Sequence, residues 1–253
     1  MKKGHTNQKT NKVALLALVI IFGLSLAALI YSITLKDWMK IGLAAAALIL
    51  YAAPILITKA AKIRLPSVLE VTYYLFVFAA LILGEVFAFY GPFPFWDIVL
   101  HSLSGFVLAG IGFSLIEMMN RGHGTKFIML VFAFCFSVTI GILWECLEFS
   151  FDMTVRTDAQ KDAHLSQIST ITMQRDGGNQ PIKVDNITTT DIHLANGDIV
   201  TIDEGYLDIG LIDTMKDIFV NIAGALAFCL VGTVSIKQGR KGFAGNFIPT
   251  TRD

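Results

Sequence analysis

The chain has 253 residues, 54% of them apolar and only 16% charged, with a mean hydropathy of +0.63. Its 20 Lys and Arg balance its 20 Asp and Glu, which excludes a nucleic-acid partner held by a basic surface, and the apolar excess excludes an ordinary soluble domain. Cys135, Cys146 and Cys229 lie in apolar stretches with no C-x-x-C spacing, so they read as small buried hydrophobes rather than disulfides or zinc ligands.

In chain order, residues 1–12 read as a disordered tail. Residues 13–35 form the first apolar span. It exceeds the roughly 7–15 residues of a signal-peptide core and leads to no convincing cleavage site, so it reads as retained. A second span covers residues 41–57, with Pro54 predicting a kink near its end. The third covers 67–90. The turn Gly91-Pro92-Phe93-Pro94 leads to the fourth at 96–119, and the fifth follows at 127–151. A loop at 152–211 separates it from the sixth span at 212–236, and residues 237–253 read as a second disordered tail. Crossing a hydrocarbon core takes about 20 helical residues, and only a helix satisfies its own backbone there. The fold class is therefore all-α, a polytopic membrane bundle of six transmembrane helices with spans one to five in residues 13–151. The loop carries β signals: Ile168 to Met173 is β-prone, and Asp191 to Leu194 and Asp198 to Ile202 alternate around the turn Ala195-Asn196-Gly197. A small β-rich external cap is expected.

Charge sets the expected orientation. Lys2, Lys3, Lys9, Lys12, Lys59, Lys62, Arg64, Arg121, Lys126, Lys237, Arg240, Lys241 and Arg252 fall on one side, against only Lys36 and Lys40 in short loops on the other. By the positive-inside rule both termini are cytoplasmic and the loop 152–211 is external, in a cell (cytoplasmic) membrane. Trp38, Trp96 and Trp144 then stand at the outer interface as an aromatic belt.

Acids and one histidine break the apolar pattern at the outer ends of four spans. They are Glu85; Asp97 and His101 at i, i+4; Glu145 and Glu148 at i, i+3; and Asp213, Asp217 and Asn221 at i, i+4, i+8. An ionised side chain inside a bilayer costs about 2.5–3.5 kcal/mol even on mild scales, so such residues point to function. Carboxylates with one imidazole in a helical bundle suit a divalent metal ion, Mg, Mn, Fe or Zn. Asp97, His101, Glu145 and Asp217 are the expected ligands, with Glu85, Glu148, Asp213 and Asn221 in support. Plainer roles compete: Asp97 and Asp213 stand where helix caps stand, Glu145 and Glu148 can snorkel, and His101 can be a buried imidazole bonded to Asp97. Asp217 lies too deep to cap.

The chain has no phosphate-binding loop, no H-E-x-x-H and no G-x-S-x-G, which removes the main support for ATPase, zincin and serine-hydrolase readings. At Asp97-Ile-Val-Leu-His101 and Asp217-Ile-Phe-Val-Asn221-Ile-Ala-Gly224 it resembles the VanZ-like membrane proteins. With Trp144-Glu145-x2-Glu148 it is still more similar to the YjdF-like bacterial inner-membrane proteins. The resemblance spans about residues 84–232. It departs from the VanZ-like pattern at Ile98, where a Lys is common, and in the longer external loop. It implies a bacterial cytoplasmic-membrane protein and little chemistry, since the YjdF-like group is essentially uncharacterised and the VanZ-like proteins are linked to glycopeptide resistance without an agreed mechanism.

Three functions follow in order. The first is an outward-facing divalent-metal site acting on an envelope or lipid-linked substrate among the membrane lipids. The second is a non-catalytic assembly or sensor protein that uses the cap. The third is a proton- or cation-coupled transporter, disfavoured because the acids gather at one end of the spans rather than the midplane. The oligomeric state is not legible.

Overall fold

The computed structural model describes residues 3–60, 62–120, 125–174, 178–237, 247 and 250–251. Among them are six helices long and apolar enough to cross a membrane. The first, α1 (Lys3–Leu35), starts well before residue 13, inside the stretch expected to be a tail. Asp37 caps α2 (Trp38–Leu50), its Oδ1 accepting from Lys40 N at 3.1 Å. The expected Pro54 kink is a break at residues 51–52. The chain restarts as α3 (Ala53–Ala60), where Pro54 falls in the first turn and its missing N–H leaves no helical bond unmade. A short strand β1 (Ile63–Arg64) leads to α4 (Ser67–Val77), which passes into a π-helix over Phe78–Val86. The third span thus ends at Val86, four residues short of the expected end. Then come α5 (Trp96–Asn120), α6 (Lys126–Val155) and, after the loop, α7 (Leu211–Lys237).

The residues fall into two compact units. One comprises Met1–Ile142 with Phe219–Asp253. It holds two buried clusters. In the first, Ala28, Ala44 and Ala47 pack with Tyr51, Tyr74, Ile82 and Val86. Lipid tails are as apolar as these side chains, so close packing rather than escape from water drives the association, and small residues permit it. Polar atoms inside this cluster are matched: Ser25 Oγ bonds Tyr51 OH at 2.9 Å, and Ser32 Oγ donates to Ala28 O at 2.9 Å. The second cluster joins Leu69, Ala109, Phe113, Met129, Ala133, Ala225 and Phe228 with Phe247 from the tail. A strand β8 (Thr250–Thr251) pairs antiparallel with β1. Of the stretch expected to be a second tail, only residues 237, 247 and 250–251 are described, and the rest lies outside the described residues.

The other unit, Leu143–Ile218, carries the end of α6, the start of α7 and three antiparallel strand pairs. These are β2 (His164–Leu165) with β7 (Tyr206–Leu207), β3 (Ile168–Thr170) with β4 (Ile182–Val184), and β5 (Thr190–His193) with β6 (Ile199–Ile202). The last is the hairpin expected around Gly197, whose φ of +92° suits glycine alone. Asp208 organises the entry to α7. Its Oδ1 accepts from Ala163 N and Gly210 N, and its Oδ2 from Ile212 N. Partial burial pushes the Asp208 carboxyl up, but these amide donors together hold it below the usual range. Asp162 goes the other way: burial, then repulsion from Asp158, Asp208 and Asp152, raises it despite His164.

Candidate functional site

The site rests on the seam between α5 and α7. A Cβ at Gly105 would stand 2.1 Å from the carbonyl oxygen of Asn221, and one at Gly224 would stand 2.0 Å from that of Ser102. Only glycine permits this approach. Further along, Gly110 faces Phe228. Gly105 with Asn221, Phe106 with Gly224 and Gly110 with Phe228 advance together along both helices, so α5 and α7 run parallel here. On α6, Gly141 faces the Asn221 carboxamide while Leu130 faces Gly232, so α6 runs antiparallel to α7.

On α5, Asp97 and His101 face each other across one helical turn, with His101 Nε2 3.5 Å from Asp97 Oδ1 and both side chains largely buried. Asp97 is therefore more than a cap. On α7, Asp217 and Asn221 follow on one stripe, each only 2% exposed. The α7 helix continues unbroken through Asp217, one turn ahead of Asn221, just as His101 stands one turn ahead of Gly105 on α5. The residues found near one another are Asp97, His101 and Asp217. These three residues make a group in which each can offer one ligand atom to a common ion. Two carboxylates and an imidazole suit a divalent cation.

The remaining expected residues separate by their partners. Glu145 is buried at 5% exposure, one turn beyond Gly141 on α6, which brings it to the level of Asp217. Among the described residues the ligand group stops at Asp97, His101 and Asp217. Glu148 takes a 2.7 Å hydrogen bond from Trp144 Nε1 on its own helix. Asp213 ties the loop to α7, with Oδ2 accepting from Lys161 N at 3.1 Å and Oδ1 3.7 Å from Lys216 Nζ. Glu85 is exposed on the π-helix. Ser104 was missed by sequence reasoning. Its hydroxyl donates to His101 O at 2.8 Å and accepts from Asn221 Nδ2 at 3.3 Å. Its position three residues after His101 was the available signal.

A family model described as "Predicted membrane protein (DUF2238)" matches residues 14–238. None of the curated proteins and none of the solved structures matches the chain.

Proposed function

The chain belongs to the DUF2238 family of predicted membrane proteins, and from its site we propose a multi-pass membrane protein in which Asp97, His101 and Asp217 hold a divalent cation. The observation that carries this reading is the convergence of two carboxylates and an imidazole on adjacent turns of α5 and α7, with Asp217 buried. Buried acids at one level repel one another in a low-dielectric setting, and a doubly charged cation offsets that repulsion. Glu145, at the level of Asp217, adds to the negative potential, while Glu85, Glu148 and Asp213 stand outside the ligand set. Mg, Mn, Fe and Zn all fit such donors. A bound cation would polarise a phosphoryl or carbonyl oxygen or activate water. The resemblance to VanZ-like and YjdF-like proteins, with the charge pattern of the loops, supports a bacterial cytoplasmic membrane and an outward-facing site for an envelope or lipid-linked substrate.

Metal analysis and thermal unfolding of detergent-purified protein, with and without each cation, test the reading. We expect one equivalent of bound metal and a cation-dependent rise in stability. His101→Ala and Asp217→Asn should lose both, while Glu85→Gln keeps both. Metal-free protein whose response to cations is unchanged by His101→Ala would overturn it.

A non-catalytic assembly role is the second reading. It is favoured by the hairpin β5–β6, where Ile192 and Val200 pair across the strands and both stand exposed. Deleting residues 190–202 would abolish the cellular phenotype under this reading, and acid-to-amide changes at the site would not.

A further inference from the structure

A serine hydroxyl has one proton and two lone pairs. Ser104 spends its proton on His101 O at 2.8 Å. Toward Asn221 it can therefore act only as an acceptor, and the group at 3.3 Å is the Nδ2 amide donor. Turning the carboxamide over would set Oδ1 against an oxygen lone pair, which a buried setting penalises. The Asn221 side chain is boxed in as well. A Cβ at Gly141 would lie 2.9 Å from Oδ1 and 3.1 Å from Nδ2, and the Asn221 backbone is pressed onto Gly105. The outcome is a buried Oδ1 that accepts no hydrogen bond among the described residues, one helical turn from Asp217. Leaving such an oxygen without a donor costs about 1–3 kcal/mol. A cation or its bound water would satisfy it.

We propose that Ser104 is a positioning residue that locks Asn221 with Oδ1 as a neutral oxygen ligand, adding a fourth donor to Asp97, His101 and Asp217. This rests on the reading that those three residues bind a divalent cation. A neutral amide oxygen beside two carboxylates shifts the site toward harder cations, so the lock favours Mn²⁺ over Zn²⁺. Ser104 is not itself a ligand; its hydroxyl bridges the His101 carbonyl and the Asn221 amide. It acts through the orientation of Asn221, as an outer residue orients a metal-binding side chain.

The test measures Mn²⁺ affinity by electron paramagnetic resonance and Zn²⁺ affinity by calorimetry on the full chain in detergent. Ser104→Ala should weaken Mn²⁺ binding about 10-fold or more while changing Zn²⁺ binding less. Asn221→Ala should show the same loss, and adding Ser104→Ala to it should cost nothing further. Ser104→Thr keeps the hydroxyl and should restore Mn²⁺ affinity. In Asn221→Asp, whose two oxygens need no orienting, Ser104→Ala should have no effect; this pair decides the matter if the single Ser104→Ala variant folds poorly. Ser137→Ala serves as a packing control, since Ser137 Oγ donates to Gly105 O at 2.8 Å on the same seam without touching Asn221 through its hydroxyl. It should leave the Mn²⁺ to Zn²⁺ ratio unchanged. Losses that add, or a Ser104→Ala protein that binds both cations as the native chain does, would sink the assignment of Ser104 while leaving the three-residue site standing. A native chain that binds neither cation would overturn the underlying reading and this one with it.

Discussion

At Gly105 the seam between α5 and α7 has no room for one more carbon, because the nearest atom is backbone and cannot rotate away. Gly105→Ala and Gly224→Ala should each destabilise the protein by about 1–3 kcal/mol or more, as overpacking does. Gly23 and Gly42, with nothing within 4 Å of an added Cβ, give the contrast. Alanine there should be neutral or stabilise by up to about 1 kcal/mol, since it is the better helix former. Unfolding in mixed detergent micelles reads all four, and equal losses at every position would refute the seam. The same closeness explains how much of the site could be read from residues alone. Asp97, His101 and Asp217 were legible because i, i+4 spacing fixes a helix face and span position fixes depth. Asp213 and Glu148 were expected only in support of them, and the sequence does not reveal which neighbour each carboxylate meets. Asp213 meets an amide 52 residues away, and Glu148 meets an indole one turn away.

At the scale of elements, the helices were legible and their terminal details were not. The six apolar runs were found because length and hydropathy suffice for a span. The π-helix over Phe78–Val86 was not, because its residues are apolar apart from Glu85 and carry no periodicity to betray a change of pitch. Trp96 Nε1 donates to Ala79 O on that π-helix at 3.2 Å, pinning the start of α5 to it. Trp96→Phe should cost about 1 kcal/mol, seen as faster amide exchange through residues 78–86. The entry to α7 has a different dependence, on pH. The Asp208 carboxyl is held below its unfolded value of about 3.9, so its contribution to stability is full above that pH and is lost as pH falls through the lower folded value. Asp208→Ala should weaken the first turn of α7 by about 1 kcal/mol near neutrality. The difference should vanish in acid, where the native carboxyl is protonated too. Asp162, raised by burial and by its acidic neighbours, has the opposite sign and gains from acidification, so the comparison must be made variant by variant. Hydrogen exchange at the Gly210 and Ile212 amides checks it: a difference that persists unchanged into acid would show that these bonds do not depend on ionised Asp208.

At the scale of the whole chain, Phe247 packs against the α5–α7 seam. The sequence hid this, because a lone Phe247 among Gly, Asn and Pro carries no helical or strand periodicity, and its seat is shared between α7 and residues of α5 more than a hundred positions away. Phe247 is 3% exposed, with ring centroids 5.5 Å from Phe228 and 6.4 Å from Phe106. Gly110 makes the seat, since a Cβ there would lie 2.7 Å from the Phe247 ring. The ring thus reaches a level two turns inside the fourth span, where non-helical backbone survives only if its polar groups are satisfied by protein. Ser114 meets that need, its buried hydroxyl standing 2.6 Å from Phe247 O and 2.8 Å from Gly110 O. Two independent losses can therefore be separated. Phe247→Ala should cost about 3–5 kcal/mol for the emptied aromatic seat. Ser114→Ala should cost about 1 kcal/mol for the hydrogen bond lost to the Phe247 carbonyl. In a chain ending at residue 246 there is no Phe247 carbonyl to satisfy, so Ser114→Ala should then cost little. Unfolding of the full-length and truncated proteins in mixed detergent micelles reads both losses. A Phe247→Ala protein as stable as the native chain, or a Ser114→Ala penalty equally large in the truncated chain, would mean that Phe247 does not hold the seam and that Ser114 serves α5 alone.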